Sequence, residues 1–536
     1  MTNKFNKEWL PHLSPDIISG IQGNYLDAYV VALEGWRRGL TLKWHTKDCD
    51  EFNDVEKWFV DQPGQLFSLH SEEKSHYFFR TRGDLVTSEA VKMGMDKEIT
   101  KTMLREANVP VPEGRQFIRS HTKDEIINYI NKLGYPVVIK PTDGSFGRGV
   151  FSDIQTEQEV HHALKYLYEV LKETNIIVEK YIPGKDYRIY VVDDKVVGAI
   201  LREPPNVQGD GQSTIETLIQ DKNESRHVNP RLSGCPIVIN PEIINYIARD
   251  NYDLYSIPEK GEIVYLSDKG NVSIGGDPID VLDDLSEDIK STAIAALKAI
   301  PNLYHGAVDI ISNDNKTGYV IELNPTAQIG GLLFPLSGSP RDIPKSIIDL
   351  YFPETINQTP YYKMYFDFFA ALEPLEKNVA SETTVNTISP NKLVSKELIF
   401  KGEIGDLALQ QYLRKESVTW GINGSIKQKD SDSISLIVAA EEHVLMEFIN
   451  TVLKRDLGIE NIEISSYTKP IKTGLEIENI TENMIERLND KRQEITHLRK
   501  EQLTLNKQYT NMLQSTSWKI TKPLRLTMGL FKRTER

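Results

Sequence analysis

PVVIKPTDGSFGRGV, residues 136–150, joins a β-branched apolar run to a glycine-rich loop through a single lysine. Val137, Val138 and Ile139 favour a buried strand. Lys140 closes that strand, and Pro141, which has no N–H, stops the ladder. In the loop, Gly144, Gly147 and Gly149 let the backbone turn its N–H groups toward an anion, with Ser145 and Arg148 as further donors around Phe146. Such loops also serve turn geometry alone, so the neighbouring segments decide the reading. IIVEKYIPGKDYR, residues 176–188, reads as a strand, a hinge and an acid. The hinge backbone over Glu179, Lys180, Tyr181 and Ile182 would offer adenine an amide and a carbonyl, and Asp186 would hold ribose hydroxyls. Further on, HGAVDIIS places Asp309 on a strand, and GYVIELNPTAQ places Glu322 and Asn324 on a second, where alternate side chains share one face. Three oxygen donors near a triphosphate suit magnesium.

These segments are accompanied by DKEITKTMLREANVPVPEG (96–114), VEKYIPGKDYRIYVV (178–192), QGDGQSTIETLI (208–219) and GNVSIGGDPIDVLDD (270–284), followed by GAVDI and VIELNP. In that order they resemble the ATP-grasp family. They are similar to the ATP-grasp domains of cyanophycin synthetase and the bifunctional glutathione synthetase and, more distantly, D-alanine–D-alanine ligase. The resemblance implies an ATP-dependent carboxylate–amine ligase that forms an amide or peptide bond through an acyl phosphate and releases ADP. It implies ATP with two magnesium ions, or manganese in their place, held by Asp309, Glu322 and Asn324. Lys97 and Lys140 would hold phosphates beneath a mobile subdomain at about 115–185 whose glycine-rich loop closes over them. Ser273, Gly275 and Gly276 would approach the substrate, on a side of the domain that also carries Arg226 and Arg231. Arg202 is the candidate for stabilising the transferring phosphoryl group; the alternative is a strand-end arginine paired to Glu203 or Asp210. The family's metal-binding asparagine is usually followed by small residues ending in a glycine turn. Here Asn324 is followed by Pro325-Thr326-Ala327-Gln328-Ile329-Gly330-Gly331, so amino-acid specificity does not carry over.

The rest of the chain reads as α/β and α+β multidomain. Residues 1–90 form an N-terminal α/β domain, 91–352 the ATP-grasp domain and 353–390 a connector ending in a polar, exposed linker. KWFVD reads as one of the N-terminal strands, and Glu34-Gly35-Trp36-Arg37-Arg38-Gly39 as an amphipathic helix with a glycine stop rather than a substrate contact. A net charge of −14 argues against non-specific nucleic-acid binding and points to small-molecule or protein partners. Cys49 and Cys235 are too far apart to suggest a disulfide framework or zinc site. An N-terminus without an apolar signal core, and no run of 18 apolar residues, lead to the expectation of a cytoplasmic protein.

Residues 391–470 give β-α-β-β-α-β, the ferredoxin-like order, resembling acylphosphatase. The arginine that family uses is replaced within Asp406–Gln410 and its asparagine by Lys427-Gln428, so an inactive accessory domain is expected. From 476 to 515, Ile477, Met484, Leu488, Ile495, Leu498, Leu505, Tyr509 and Met512 occupy heptad seam positions of a coiled coil that would pair two chains. Residues 516–536 form a basic amphipathic tail, with Lys519, Lys522, Arg525, Lys532, Arg533 and Arg536 against Glu535. It suits an anionic membrane surface at the inner face, or docking on a glycosyltransferase of a surface-polysaccharide pathway, whose members end similarly. Two rival readings are an acylphosphatase-type hydrolase and a non-catalytic scaffold of such a pathway. The intact ATP and metal positions speak against the scaffold.

Overall fold

The computed structural model describes residues 9–142, 149–173, 175–358, 362–388, 392–402, 406–430, 433–455 and 458–478, with Ile495, Leu498 and Gln502 beyond them. Gly144, Ser145, Phe146, Gly147 and Arg148, most of the heptads and the whole basic tail lie outside the described residues. The chain falls into two compact units. One comprises residues up to 395 together with 439–445 and 467–473, and the other 396–438, 446–466 and 474 onward.

The first unit contains three sheets of four or five strands. Its N-terminal sheet has the spatial order Glu382–Val385, Thr41–His45, Leu66–His70, Ser75–Phe79, Arg82–Gly83. Against it lies the Asn24–Arg37 helix, which is buried on nearly every side rather than amphipathic. Gly35 permits this contact, because a Cβ there would collide with Leu69. Arg38 is held by Glu34 and by Asp349, the latter at 2.7 Å, while Arg37 donates to the Met364 carbonyl at 2.7 Å and the His12 carbonyl at 2.9 Å. The two arginines thus anchor the helix. Lys57–Asp61 is not a strand: Phe59 takes φ of 55° and is 77% exposed, with its carbonyl accepting from Gln65.

The connector is not a linker either. Glu382–Val385 pairs antiparallel with Thr41–His45, Leu42 opposite Val385, and the Phe368–Glu376 helix contributes Phe368 to the aromatic cluster around Trp44. An uncovered strand edge is a template for wrong pairing, and this returning segment covers it. The N-terminal sheet is therefore assembled from segments far apart in sequence, residues 41–83 and Glu382–Val385.

The second sheet runs Gly114–Ile118, Asn175–Lys180, Val137–Pro141, Phe151–Ile154. It carries the Lys123–Leu133 and Glu157–Lys165 helices, each opened by a capping box, Thr122 with Glu125 and Thr156 with Glu159. Its own core includes Phe117, Ile126, Ile139 and Leu164. Pro141 is the last paired residue, opposite Ile176, one position beyond the expected end at Lys140.

The third sheet carries the candidate ribose, phosphate and metal residues Asp186, Arg202, Asp309, Glu322 and Asn324. Its antiparallel strands run Asp277–Asp280, Lys195–Glu203, Lys185–Val192, His305–Ser312, Tyr319–Asn324 in spatial order. One face, with Ile189, Val191, Val308 and Leu323, packs into a core with Ile289 and Ala293 of the Glu287–Lys298 helix. The side-chain period of two therefore puts Asp186, Arg188, Arg202, Asp309, Glu322 and Asn324 together on the other face.

In the second unit the order is strand Leu393–Gly402, helix Asp406–Thr419, strands Asn423–Asp430 and Ser433–Glu441, helix Glu442–Leu453 and strand Ile459–Ser466. The sheet order is Ile459–Ser466, Leu393–Gly402, Ser433–Glu441, Asn423–Asp430, closed by a further strand, Leu475–Glu478. This last strand runs parallel to Asn423–Asp430 with Ile477 opposite Ile426. Ile477 is thus a sheet residue, not the first seam position of a coiled coil, because the unpaired edge of Asn423–Asp430 offers it a ladder.

Candidate active site

Strand register builds the site. Asp309 lies opposite Arg188 on one side and opposite Glu322 on the other, with a register shift between Asp309 and Ile310. The Arg188 guanidinium grips Asp309 with two hydrogen bonds of 2.9 Å, Nε to Oδ1 and Nη2 to Oδ2. Arg202 bridges two carboxylates, reaching Asp309 at 3.0 Å and Asp186 at 2.6 Å. Glu203 and Asp210, its partners in the alternative reading, are engaged elsewhere, by Tyr265 and by Ser213. Burial pushes the Asp309 carboxyl up, but Arg188 and Arg202 outweigh it and hold the group below its ordinary range. It stays ionised. Burial likewise works against the Arg202 charge, and Asp309 and Asp186 reverse that, raising its pKa.

The donor set fits a hard cation. A carboxylate has about four lone-pair sites, and the three guanidinium contacts to Asp309 leave one of them, on Oδ1, for a metal. Glu322 is exposed beside it, and Asn324 follows on the same face, its Oδ1 accepting from Thr326 N at 3.3 Å. Arg202 Nε and Thr326 Oγ1 are buried with no partner among the described residues, as polar atoms are where a bound group would satisfy them. Arg188 was not singled out from the sequence, although its place two residues after Asp186 puts it on the same face.

The lysines come from other elements, and Lys140 feels the charge of Glu322 in this cluster. Lys97, first residue of the Lys97–Glu106 helix, donates to the Thr142 carbonyl at 3.0 Å, directly before the glycine-rich loop. Lys140 Nζ donates to Glu179 Oε2 at 3.0 Å. The other oxygen of Glu179 pairs with Lys101, a residue the sequence reading passed over, as an ion pair rather than an aligned hydrogen bond. The signal was present: Lys97 and Lys101 are four apart and so lie on one helix face. Burial, then the charge of Lys140, pushes Lys101 down to about 6; burial, then Lys97, pushes Lys140 down to about 8.

At the hinge, Glu179 is 2% exposed, so its carboxylate serves the two lysines rather than facing outward. Lys180 Nζ donates to the Gly134 and Tyr135 carbonyls at 2.9 and 3.0 Å, and Tyr181 N–H donates to the Pro136 carbonyl at 3.1 Å. These contacts fix the hinge to the second sheet, so the Lys180 side chain and the Tyr181 amide are committed to the fold. Gly149 closes the glycine-rich loop with φ of 73°, and a Cβ there would come within 2.8 Å of Leu171.

Beyond the metal candidates, Arg231 reaches three neutral acceptors: Cys235 Sγ at 2.8 Å, Gln328 Oε1 at 3.0 Å and Ser273 Oγ at 3.4 Å. Gln328 in turn donates to Asn24 Oδ1 at 2.9 Å. The NPTAQIGG departure is thereby tied to Arg231 and to the N-terminal helix. Arg226, by contrast, is buried and paired to Asp277 at 2.6 Å, an anchor for its helix. Asp27, buried on the N-terminal helix, accepts from Ile329 N–H at 3.0 Å, and burial pushes its carboxyl up to about 7.

Cyanophycin synthetase from Synechocystis sp. is 35% identical over 271 residues, 49% of this chain and 31% of that protein. The glutathione biosynthesis bifunctional protein GshAB of Enterococcus faecalis is 30% identical over 316 residues, 56% of this chain and 41% of that protein. The crystal structure of a bifunctional glutathione synthetase from Pasteurella multocida matches with a TM-score of 0.43 and 25% identity, covering 56% of this chain and 41% of that one. The chain thus spans less than half the length of these relatives. Residues 94–216 match the family model of the RimK-like ATP-grasp domain, and the chain carries an ATP-grasp domain of that kind.

Proposed function

We propose that this chain is an ATP-dependent carboxylate–amine ligase, acting on an amino acid or a surface-polymer precursor. The observation that carries the reading is the convergence of Asp309, Glu322, Asn324 and Arg202 on one sheet face in a chain with a RimK-like ATP-grasp domain. A substrate carboxylate oxygen attacks the γ-phosphorus of ATP, and the bond to the β–γ bridging oxygen breaks, releasing ADP. An amine nitrogen then attacks the acyl carbon, loses a proton and expels phosphate. Asp309, Glu322 and Asn324 would hold magnesium, which supplies charge neutralisation on the phosphates. Arg202, kept cationic by Asp186 and Asp309, faces the transferring group, and Lys97 and Lys140 hold phosphate oxygens. The remaining hinge amides and carbonyls over Glu179–Ile182 take adenine, and Asp186 takes the ribose after exchanging Arg202 for it. Arg231 and Ser273 lie on the substrate side, where a guanidinium whose side-chain hydrogen bonds among the described residues go to neutral acceptors suits a carboxylate.

The second unit fits a ferredoxin-like accessory domain without hydrolase chemistry. In it Gln410 and Gln428, from the stretches 406–410 and 427–428 that replace the arginine and asparagine of an acylphosphatase, hydrogen-bond each other at 2.8 Å. Heptads beyond Glu478 would pair two chains, and the basic tail would hold the pair at the inner membrane face. Among the described residues no helix is long and apolar enough to cross a membrane. The test is release of ADP and phosphate from ATP across a panel of amino acids, peptides and sugar acids. Stoichiometric ADP formation that requires one carboxylate and one amine is expected. ATP hydrolysis indifferent to every carboxylate would refute the ligase.

A further inference from the structure

Glu179 is enclosed at 2% exposure between two lysines from different segments. Lys140 lies on the strand beside it in the second sheet, and Lys101 comes from the Lys97–Glu106 helix outside that sheet. Lys101 itself is 2% exposed, and no phosphate role reaches it in the ligase reading. Two lysines on one buried carboxylate are one more than charge balance needs.

We propose that Lys101 is a positioning residue for nucleotide binding: it holds the Glu179 carboxylate so that Lys140 can leave Glu179 and take a phosphate oxygen. Without Lys101, departure of Lys140 would strand an ionised carboxylate in a buried site, a state that breaking one half of a buried pair makes costly. Lys140 would then stay pinned to Glu179. With Lys101 present, Glu179 keeps an ammonium partner when Lys140 leaves, because that departure removes the neighbouring charge that, after burial, most depresses Lys101. Lys97, Lys101 and Lys140 against Glu179 also leave the region net positive before nucleotide arrives, with Glu98 and Arg105 flanking on the helix and Glu322 beyond Lys140. Burial depresses both lysines, followed by the charge of Lys140 on Lys101 and of Lys97 on Lys140, and a polyphosphate would offset those like-charge contributions. The inference rests on the ATP-grasp reading.

The experiment is calorimetric titration of the full chain with magnesium–ATP, without carboxylate or amine. Lys101→Met should weaken ATP binding by roughly 10- to 100-fold. Lys101→Arg, which keeps the cation, should restore it to within about threefold. The discriminating variant is K101M/E179Q: with the carboxylate charge gone, Lys140 is no longer pinned, and affinity should return to within about threefold of wild type. A lysine needed only to dock its helix would show no such recovery. Unchanged affinity in K101M, or a double variant as weak as the single, overturns the proposal. Should K101M not fold, the double variant, in which no uncompensated Glu179 carboxylate is buried, carries the test alone, and weak ATP binding there overturns it. Failure of the wild type itself to bind ATP would refute the ligase reading, and this inference with it.

Discussion

Glu322→Gln and Asp309→Asn make the same chemical change at two residues that face each other on neighbouring strands, and the structure assigns them unequal stability effects. Glu322 is exposed, and removing its charge should change folding stability by no more than about 0.5 kcal/mol. Asp309 is 3% exposed and accepts three contacts from two guanidiniums, at 2.9, 2.9 and 3.0 Å. An asparagine keeps one acceptor oxygen and turns an N–H₂ toward donors. Arg202 retains Asp186, whereas Arg188 loses its charged partner, so the cost should be about 3–5 kcal/mol, the range for breaking a buried pair. Both substitutions should lower substrate-dependent ADP formation by about 100-fold or more, because each removes a metal-facing charge. Urea denaturation followed by tryptophan fluorescence, alongside coupled ADP release at saturating magnesium, measures both quantities. Near-normal ADP formation by folded Glu322→Gln would refute the metal assignment. Asp309→Asn as stable as wild type would refute the electrostatic account of the sheet face.

Three further outcomes are expected. Asp27, with a folded pKa of about 7 against an ordinary 3.8, contributes stability that is complete below about pH 4 and is lost as pH rises through 7, up to about 4 kcal/mol at 1.36 kcal/mol per unit; Asp27→Asn, which still accepts from Ile329, should abolish that loss, and parallel stability–pH curves for the two proteins would contradict it. Truncation after Glu478, which spares the Leu475–Glu478 strand, should convert a dimer to a folded monomer by light scattering, and an unchanged mass would show that the heptads are not the contact. Cosedimentation with anionic liposomes should fall with added salt and disappear on deletion of 516–536, since screening acts over a Debye length of about 8–10 Å; salt-independent binding would point to a protein receptor instead.

Much of the site was legible in sequence because its information is local. Alternation within VIELN puts Glu322 and Asn324 on one face whatever lies beside the strand, and alternation within DYR does the same for Asp186 and Arg188. The β-branched run before Lys140, and the caps at Thr122 and Thr156, fix strand and helix positions by nearest-neighbour chemistry alone. Pairing across distance is different, because no local propensity names a partner. Asp309 meets Arg188 over 121 residues of sequence, and only strand order makes them neighbours. Lys101 looks like a solvated helix lysine until the second sheet brings Glu179 over it, and Glu382–Val385 looks like a polar linker until the open edge of Thr41–His45 gives it a ladder. Ile477 followed the same rule, its heptad spacing overridden by an adjacent unpaired strand. The sequence by itself therefore determined the strand or helix face on which each candidate residue stands. Only the tertiary structure decided which charges meet, because burial and register, not spacing, set the partners of a charged side chain.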